Sequence, residues 1–187
     1  MEIIRCGWCA GSALYEAYHD KEWGVPVRDD ALLFEFLLLE TFQAGLSWIT
    51  VLKKREEFRK AFDGFDYQAI SQYGPEKVAS LMENPGIIRN RLKIQGSITN
   101  SRAYIKVREE FGTFSDYFWG FTGGQTLKNN VQDYWKAPST TPLSDQISKD
   151  LKKRGFTFVG STVVYAYMQA TGMVNDHEIN CFRYHEV

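Results

Sequence analysis

The side chains best equipped for chemistry lie at the two ends of the chain. Cys6, Cys9 and His19 stand near the start, His177, Cys181 and His185 near the end, and no cysteine or histidine falls between them. The spacing His177-x-x-x-Cys181 would put an imidazole and a thiol on one face of a helical turn. That suits two ligands of a tetrahedral zinc, and Cys6 and His19 could supply the other pair. Four protein ligands leave no open position for water, so such a metal would be structural. Joining residue 6 to residue 181 closes a loop worth roughly 5 kcal/mol by chain entropy, an upper-end figure for a metal clip. A His-x-x-x-Cys pair also arises by chance, and Cys6-x-x-Cys9 reads as a redox pair too, although no βαβ pattern surrounds it.

A second candidate is Glu40. Residues 31–39 are apolar apart from Glu35, and a helix that is apolar nearly all round belongs at the centre of a fold. Glu40 falls one turn after Phe36 and two turns after Leu33, so it shares their face. A carboxylate there must be hydrogen-bonded, open into a pocket, or mark the point where the helix reaches solvent. Trp48 and Tyr18 carry flat rings, which taken alone are more often core residues than stacking surfaces.

The elements that must position these groups are mainly helical. Asp29 and Asp30 can cap a helix through residue 40, and Ser47 a second from Trp48 to about Phe62. Asp66 opens a short helix and Pro75 another that runs to about Glu83. Asn84-Pro85-Gly86 makes a tight turn into a long helix ending near Gly112. Residues 114–121 read as a short helix, 123–142 as a long surface loop, and Ser144 as the cap of a helix that Gly155 ends. Thr157-Phe158-Val159 reads as extended, and 161–171 as an apolar helix. No internal repeat is present.

With 187 residues and 44% apolar content, the chain is long enough for one well-cored domain, taken as residues 1–187. The 22 Lys and Arg nearly balance 23 Asp and Glu, unlike strongly basic nucleic-acid binders. Local cationic clusters remain at Lys53-Lys54-Arg55, from Arg89 to Lys93, and at Lys152-Lys153-Arg154. The start lacks the long apolar core of a signal peptide, and no apolar stretch is long enough to span a bilayer. A cytoplasmic protein with no membrane association is expected, and a monomer.

Several stretches together resemble one family. They are Cys6-Gly-Trp8, the run from Tyr15 through Tyr18-His19 to Trp23-Gly-Val-Pro26, and Gln43-Ala-Gly-Leu-Ser-Trp48-Ile-Thr-Val-Leu-Lys-Lys-Arg55. Later come Gly86-Ile-Ile-Arg-Asn-Arg-Leu-Lys-Ile94, Leu151-Lys-Lys-Arg-Gly-Phe-Thr-Phe-Val-Gly160 and Val174-Asn-Asp-His177. In order along nearly the whole chain, they resemble the type I, constitutive class of bacterial DNA-3-methyladenine glycosylases. The resemblance implies an all-α helix-hairpin-helix glycosylase fold, its hairpin region at about 76–111. It also implies a structural Zn2+ on Cys6, His19, His177 and Cys181 that ties residues 1–25 to residues 160–187. Cys9 and His185 lie outside that ligand pattern.

The implied activity is hydrolysis of the N-glycosidic bond of 3-methyladenine in alkylated double-stranded DNA, by base flipping and without lyase chemistry, with free 3-methyladenine as product. Glu40 matches the base-recognising carboxylate, Trp48 a stacking ring, Tyr18 a polar aromatic contact, and Tyr15 and Trp8 the pocket wall. Gly86, Ile87, Arg89 and Arg91 match the hairpin that grips the DNA backbone, and Lys93 adds charge. Thr41 and Phe42 depart from the family's smaller or polar residues beside the glutamate, which bears on the shape of the pocket floor. Related glycosylases place an aspartate after the hairpin, whereas here only Glu109 and Glu110 precede Asp116. That absence fits the type I branch.

Overall fold

A helix that is apolar on every side has to be enclosed, and the fold is arranged around that requirement. The computed structural model describes residues 3–43 and 45–187. Their helices are α1 (Ala13–Lys21), α2 (Asp30–Gln43), α3 (Trp48–Ala61), α4 (Tyr67–Ser71), α5 (Pro75–Glu83), α6 (Arg91–Phe111), α7 (Phe114–Gly120), α8 (Pro142–Lys153) and α9 (Ser161–Ala170). Helix α2 packs against α3, α6, α7 and α9, and its residues from Leu33 to Phe42 are all buried. Glu35 is tolerated inside this run because Arg55 and Arg59 of α3 both donate to its carboxylate, at 2.7 to 2.9 Å. A paired buried charge avoids most of the cost of an isolated one.

Local chemistry explains most helix boundaries. Ser12 caps α1, Asn90 caps α6 and Thr113 caps α7, each through its side chain. Asp29 accepts from the Leu32 amide at the start of α2. Asp30 instead reaches across the core to Arg108 and to the amides of Phe114 and Ser115, tying α2 to α6 and α7. The cap of α8 is Thr141 rather than the expected Ser144. Pro142 occupies the first turn, and Ser144 completes a reciprocal capping box from the third helical position. Helix α1 escaped the sequence reading because its weak apolar periodicity is masked by aromatic and charged residues.

The segment 123–142 is more ordered than a surface loop. It contributes a strand, β1 (Leu127–Lys128), that pairs in parallel with β2 (Val174–Asn175), so the structure is mainly but not wholly helical. The Leu127 and Asn129 amides donate to the Met173 and Asn175 carbonyls, and the Ile179 amide donates back to the Val131 carbonyl, which ties this segment to the tail. Phe158 is not extended as expected but left-handed, with φ of 57°. Its neighbour Thr157 is clamped by Asn100 of α6, whose side chain both accepts from the Thr157 amide and donates to its carbonyl. No described helix is long and apolar enough to cross a membrane.

Gly172 shows how tightly the ends are packed. It has φ of 72°, and a β-carbon there would lie 2.4 Å from the Val25 carbonyl carbon. Gly112 has φ of 88° with open space around it. Gly172→Ala is expected to cost roughly 2–4 kcal/mol, against about 1 kcal/mol for Gly112→Ala, where only backbone strain applies. Urea unfolding of the two variants measures the difference, and equal midpoints would contradict it.

Candidate active site and cysteine-histidine cluster

At its C-terminal end α2 meets a cavity of about 370 Å³. Glu40 and Gln43 reach it from α2, Ser47 and Trp48 from the start of α3, and Tyr15, Tyr18 and Trp23 from α1 and the turn behind it. Trp8, on a short 3-10 turn, closes one wall. All five residues that the sequence singled out for a base pocket, Glu40, Trp48, Tyr18, Tyr15 and Trp8, therefore line one cavity. Their rings form a continuous aromatic lining. Trp8 meets Tyr15 edge-on at 4.8 Å and Trp23 at 5.0 Å, and Tyr18 lies 5.6 Å from Trp48.

Glu40 is 3% exposed, and its Oε2 has no hydrogen-bond partner among the described residues. Burial alone pushes its carboxyl up to about 8, so at neutral pH the free protein holds mostly the acid. Burial, with Glu40 next in effect, also raises the Tyr18 phenol well above its ordinary range. The indole N–H groups of Trp8 and Trp48 are likewise buried without partners. Thus three of the four orphaned buried side-chain atoms among the described residues belong to the walls of this one cavity. Natural cores satisfy such groups, so their concentration here points to a polar ligand that supplies the missing partners.

Thr41 and Phe42 do not shape the cavity. Thr41 Oγ1 donates back to the Leu38 carbonyl, and Phe42 packs between Phe58 and Phe62 on the far side of α2. The sequence reading missed other residues that border the cavity or its mouth. Tyr134 and Trp135 come from the segment between β1 and α8, and Ala166 and Gln169 from α9. Gln169 is oriented by donating to Asp176, which also accepts from Tyr165 and Asn129. The Tyr-Trp pair in a loop-like segment was the available signal.

Beside the cavity, Cys6, His19, His177 and Cys181 converge, their donor atoms all within 4.8 Å of one another and all four residues buried. Their closest sulfur–nitrogen distances are 3.4, 3.5 and 3.6 Å. A tetrahedral zinc spaces such ligands about 3.5 Å apart. The second ring nitrogens are oriented for the same purpose. His19 Nδ1 lies 2.8 Å from the Asp20 carboxylate, and His177 Nε2 lies 3.0 Å from the Trp23 carbonyl. Such partners fix the tautomer that presents the other nitrogen to a metal. The Cys181 thiol is held far below its usual range by its hydrogen bond with Cys6, with both imidazoles adding to the effect. The donor set fits a divalent metal.

His177 and Cys181 meet across a turn rather than on a helix, as the spacing had suggested. The Cys181 amide donates to the Glu178 carbonyl at 2.7 Å, and the chain enters a 3-10 turn only at Phe182. Cys9 is buried but turns its thiol to the Cys6 carbonyl, and all three cysteines are free, so the pair is not a disulfide. His185 is exposed and apart from the cluster.

The connection between α5 and α6 brings Gly86, Ile87, Arg89 and Arg91 together on one turn. Arg89 and Arg91 are exposed, and Ile87 is buried. The Gly86 amide is engaged within the turn, donating to the Asn84 side chain at 2.8 Å. Lys54 holds the same turn through the Pro85 and Gly86 carbonyls. Lys93 is not a surface charge either. It is buried and donates to the Phe42 carbonyl, and burial lowers its pKa. Arg55 and Arg154 are consumed by ion pairs, whereas Lys53, Arg89, Arg91, Lys152 and Lys153 stay exposed.

The sequence pattern of the methyladenine glycosylase family matches residues 8–184 of this chain. DNA-3-methyladenine glycosylase 1 of Escherichia coli (strain K12) is 48% identical over 180 residues, 96% of each chain. A crystal structure of 3-methyladenine DNA glycosylase I superposes with a TM-score of 0.92 at 50% identity, covering 96% of this chain and 98% of that one. The Staphylococcus aureus enzyme, solved for the structural basis of its 3-methyladenine recognition, gives a TM-score of 0.92 at 31% identity, covering 95% of both chains. With the fold, the aromatic cavity and these likenesses together, the chain belongs to the methyladenine glycosylase family and is a DNA glycosylase of the 3-methyladenine type I class.

Proposed function

We propose that the cavity is the receptor for a 3-methyladenine extruded from alkylated double-stranded DNA, and that the chain hydrolyses its glycosidic bond with water. The observation that carries this reading is the buried, unpartnered Glu40 carboxyl among aromatic rings. Adenine methylated at N3 is already cationic while attached to its sugar, so it leaves as a neutral base without a strong general acid. What the reaction requires is access to a stacked base, and base flipping provides it. Glu40 accepts hydrogen bonds from the base, and its anion favours the cationic adduct over ordinary adenine. Trp48 stacks on the ring, favourably because the ring is cationic. Tyr18 supplies a polar contact, and Tyr15 and Trp8 close the wall.

The hairpin turn holds the duplex. Exposed Arg89 and Arg91 neutralise phosphates, and Gly86 and Ile87 form the turn that approaches the backbone. No lysine lines the cavity among the described residues, which supports attack by water rather than strand-nicking chemistry. Cys6, His19, His177 and Cys181 hold a structural Zn2+. With four protein ligands, that ion supplies folding stability.

The receptor is tested by assaying the base released from methylated duplex DNA. Glu40→Gln should fold normally and lose roughly tenfold to a hundredfold in kcat/KM. Full activity in that variant would reject the receptor.

The raised pKa gives a second test with opposite signs for stability and activity. Stability from the protonated Glu40 is fully present below about 4.5 and is lost as pH rises through about 8. Glu40→Gln should therefore lose less thermal stability than the wild type between about pH 5 and 9. The wild-type kcat/KM on methylated DNA should rise toward the same upper pH as the anion forms, and the variant's should stay flat.

For the metal, elemental analysis should find one zinc per chain. Chelation or Cys181→Ser should lower unfolding stability by several kcal/mol, on the order of the loop-closure value. Stability indifferent to a strong chelator would exclude a structural ion.

A further inference from the structure

Trp135 is the most exposed large apolar side chain among the described residues, at 74%, yet it does not lie on a loose loop. The segment that carries it is fastened at several points. Asn129 bonds to Asn175 and Asp176, the Ile179 amide donates to the Val131 carbonyl, and the Tyr134 amide donates to the Glu178 side chain at 2.9 Å. Asp133 then caps the short turn by accepting from the Trp135 amide. Glu178 directly follows the cluster residue His177, so the turn is fastened beside the cluster.

The two adjacent aromatics are used differently. Tyr134 is tucked inward, 5.9 Å from Trp8 and 5.8 Å from Trp23. Trp135 projects at the mouth of the carboxylate cavity and also borders an adjoining cavity of about 270 Å³ between this segment and α9. Both cavities share Tyr134, Trp135, Ala166 and Gln169. The indole thus stands at the divide, where the inner space opens outward.

A base seated against Glu40 leaves its sugar, its phosphates and the next nucleotide at that mouth. A solvent-facing indole on a hydrogen-bonded turn is well suited to pack on a nucleobase or deoxyribose face without regard to sequence. Such a contact is made by the strand and not by the free base, which sits deeper among Trp8, Tyr18 and Trp48. Exposure of one tryptophan is ordinary on a protein surface. Exposure of one fixed at the rim of a base receptor gives it an occupant.

We propose that Trp135 is a DNA-contacting residue at the pocket mouth, packing on the strand beside the extruded nucleotide and setting affinity for DNA rather than for the base. This rests on the reading of the cavity as a base receptor.

The test compares the wild type with Trp135→Ala and Trp135→Phe in steady-state excision from methylated duplex, and in calorimetric binding of free 3-methyladenine. Trp135→Ala is expected to raise KM about tenfold, with kcat changed by less than about twofold, and Trp135→Phe to recover most of the loss. Affinity for the free base should stay within about twofold in both variants. An unchanged KM would overturn the proposal, and so would an equal loss of free-base affinity, which would make Trp135 part of the inner wall. A wild-type chain that neither binds the free base nor releases it from DNA would instead bring down the receptor reading, and the proposal with it. Thermal unfolding, unaffected by loss of an exposed side chain, controls for folding.

Discussion

Among the described residues the Glu40 Oε2 has no hydrogen-bond partner, and it is buried at the end of the central helix in an aromatic cavity. Left alone, such a group disfavours its own charged form, and its pKa moves up to about 8. On the proposed reading, a cationic base beside Glu40 would stabilise the anion that burial disfavours. A neutral purine offers no such compensation. On that reading, selectivity for a positively charged base follows from desolvation of the carboxyl.

Holding that arrangement requires walls from distant parts of the chain, and the cysteine-histidine cluster sits where they meet. Trp8 lies two residues after Cys6, and Tyr18 is next to His19. Glu178, which anchors the Tyr134 amide, is next to His177, and the Trp23 carbonyl orients the His177 ring. One buried knot thereby sets the positions of four cavity residues. The opposite wall comes from α2, fixed by the ion pairs of Glu35 with α3 and by the capping of its last turn by Lys93 from α6. Because Lys93 follows the α5–α6 turn closely, the same contact links that turn to the helix bearing Glu40.

Much of this was legible in the sequence. The all-round apolarity of residues 31–39 predicts a central helix, and the terminal segregation of cysteine and histidine allows the convergence that the family resemblance implies. That Tyr18, Trp48 and Trp8 line a cavity is not legible in that way, since an aromatic ring reads alike in a core and in a cavity, and only the family motifs pointed to it. Segment 123–142 was opaque for a physical reason. Its order comes from pairing with the tail and from Glu178, long-range contacts that leave no periodicity. The cationic clusters misled in part because charge counts do not reveal partners, and Arg55, Arg154 and Lys93 are used inside the protein.

The most direct measurement is the titration of the Glu40 carboxyl itself, followed by NMR on protein carrying labelled glutamate side chains. A midpoint near 8 is expected in the free protein, with a clear fall when a permanently cationic methylated nucleoside occupies the cavity. A midpoint near the ordinary glutamate value of about 4.3, unmoved by that ligand, would contradict that expectation.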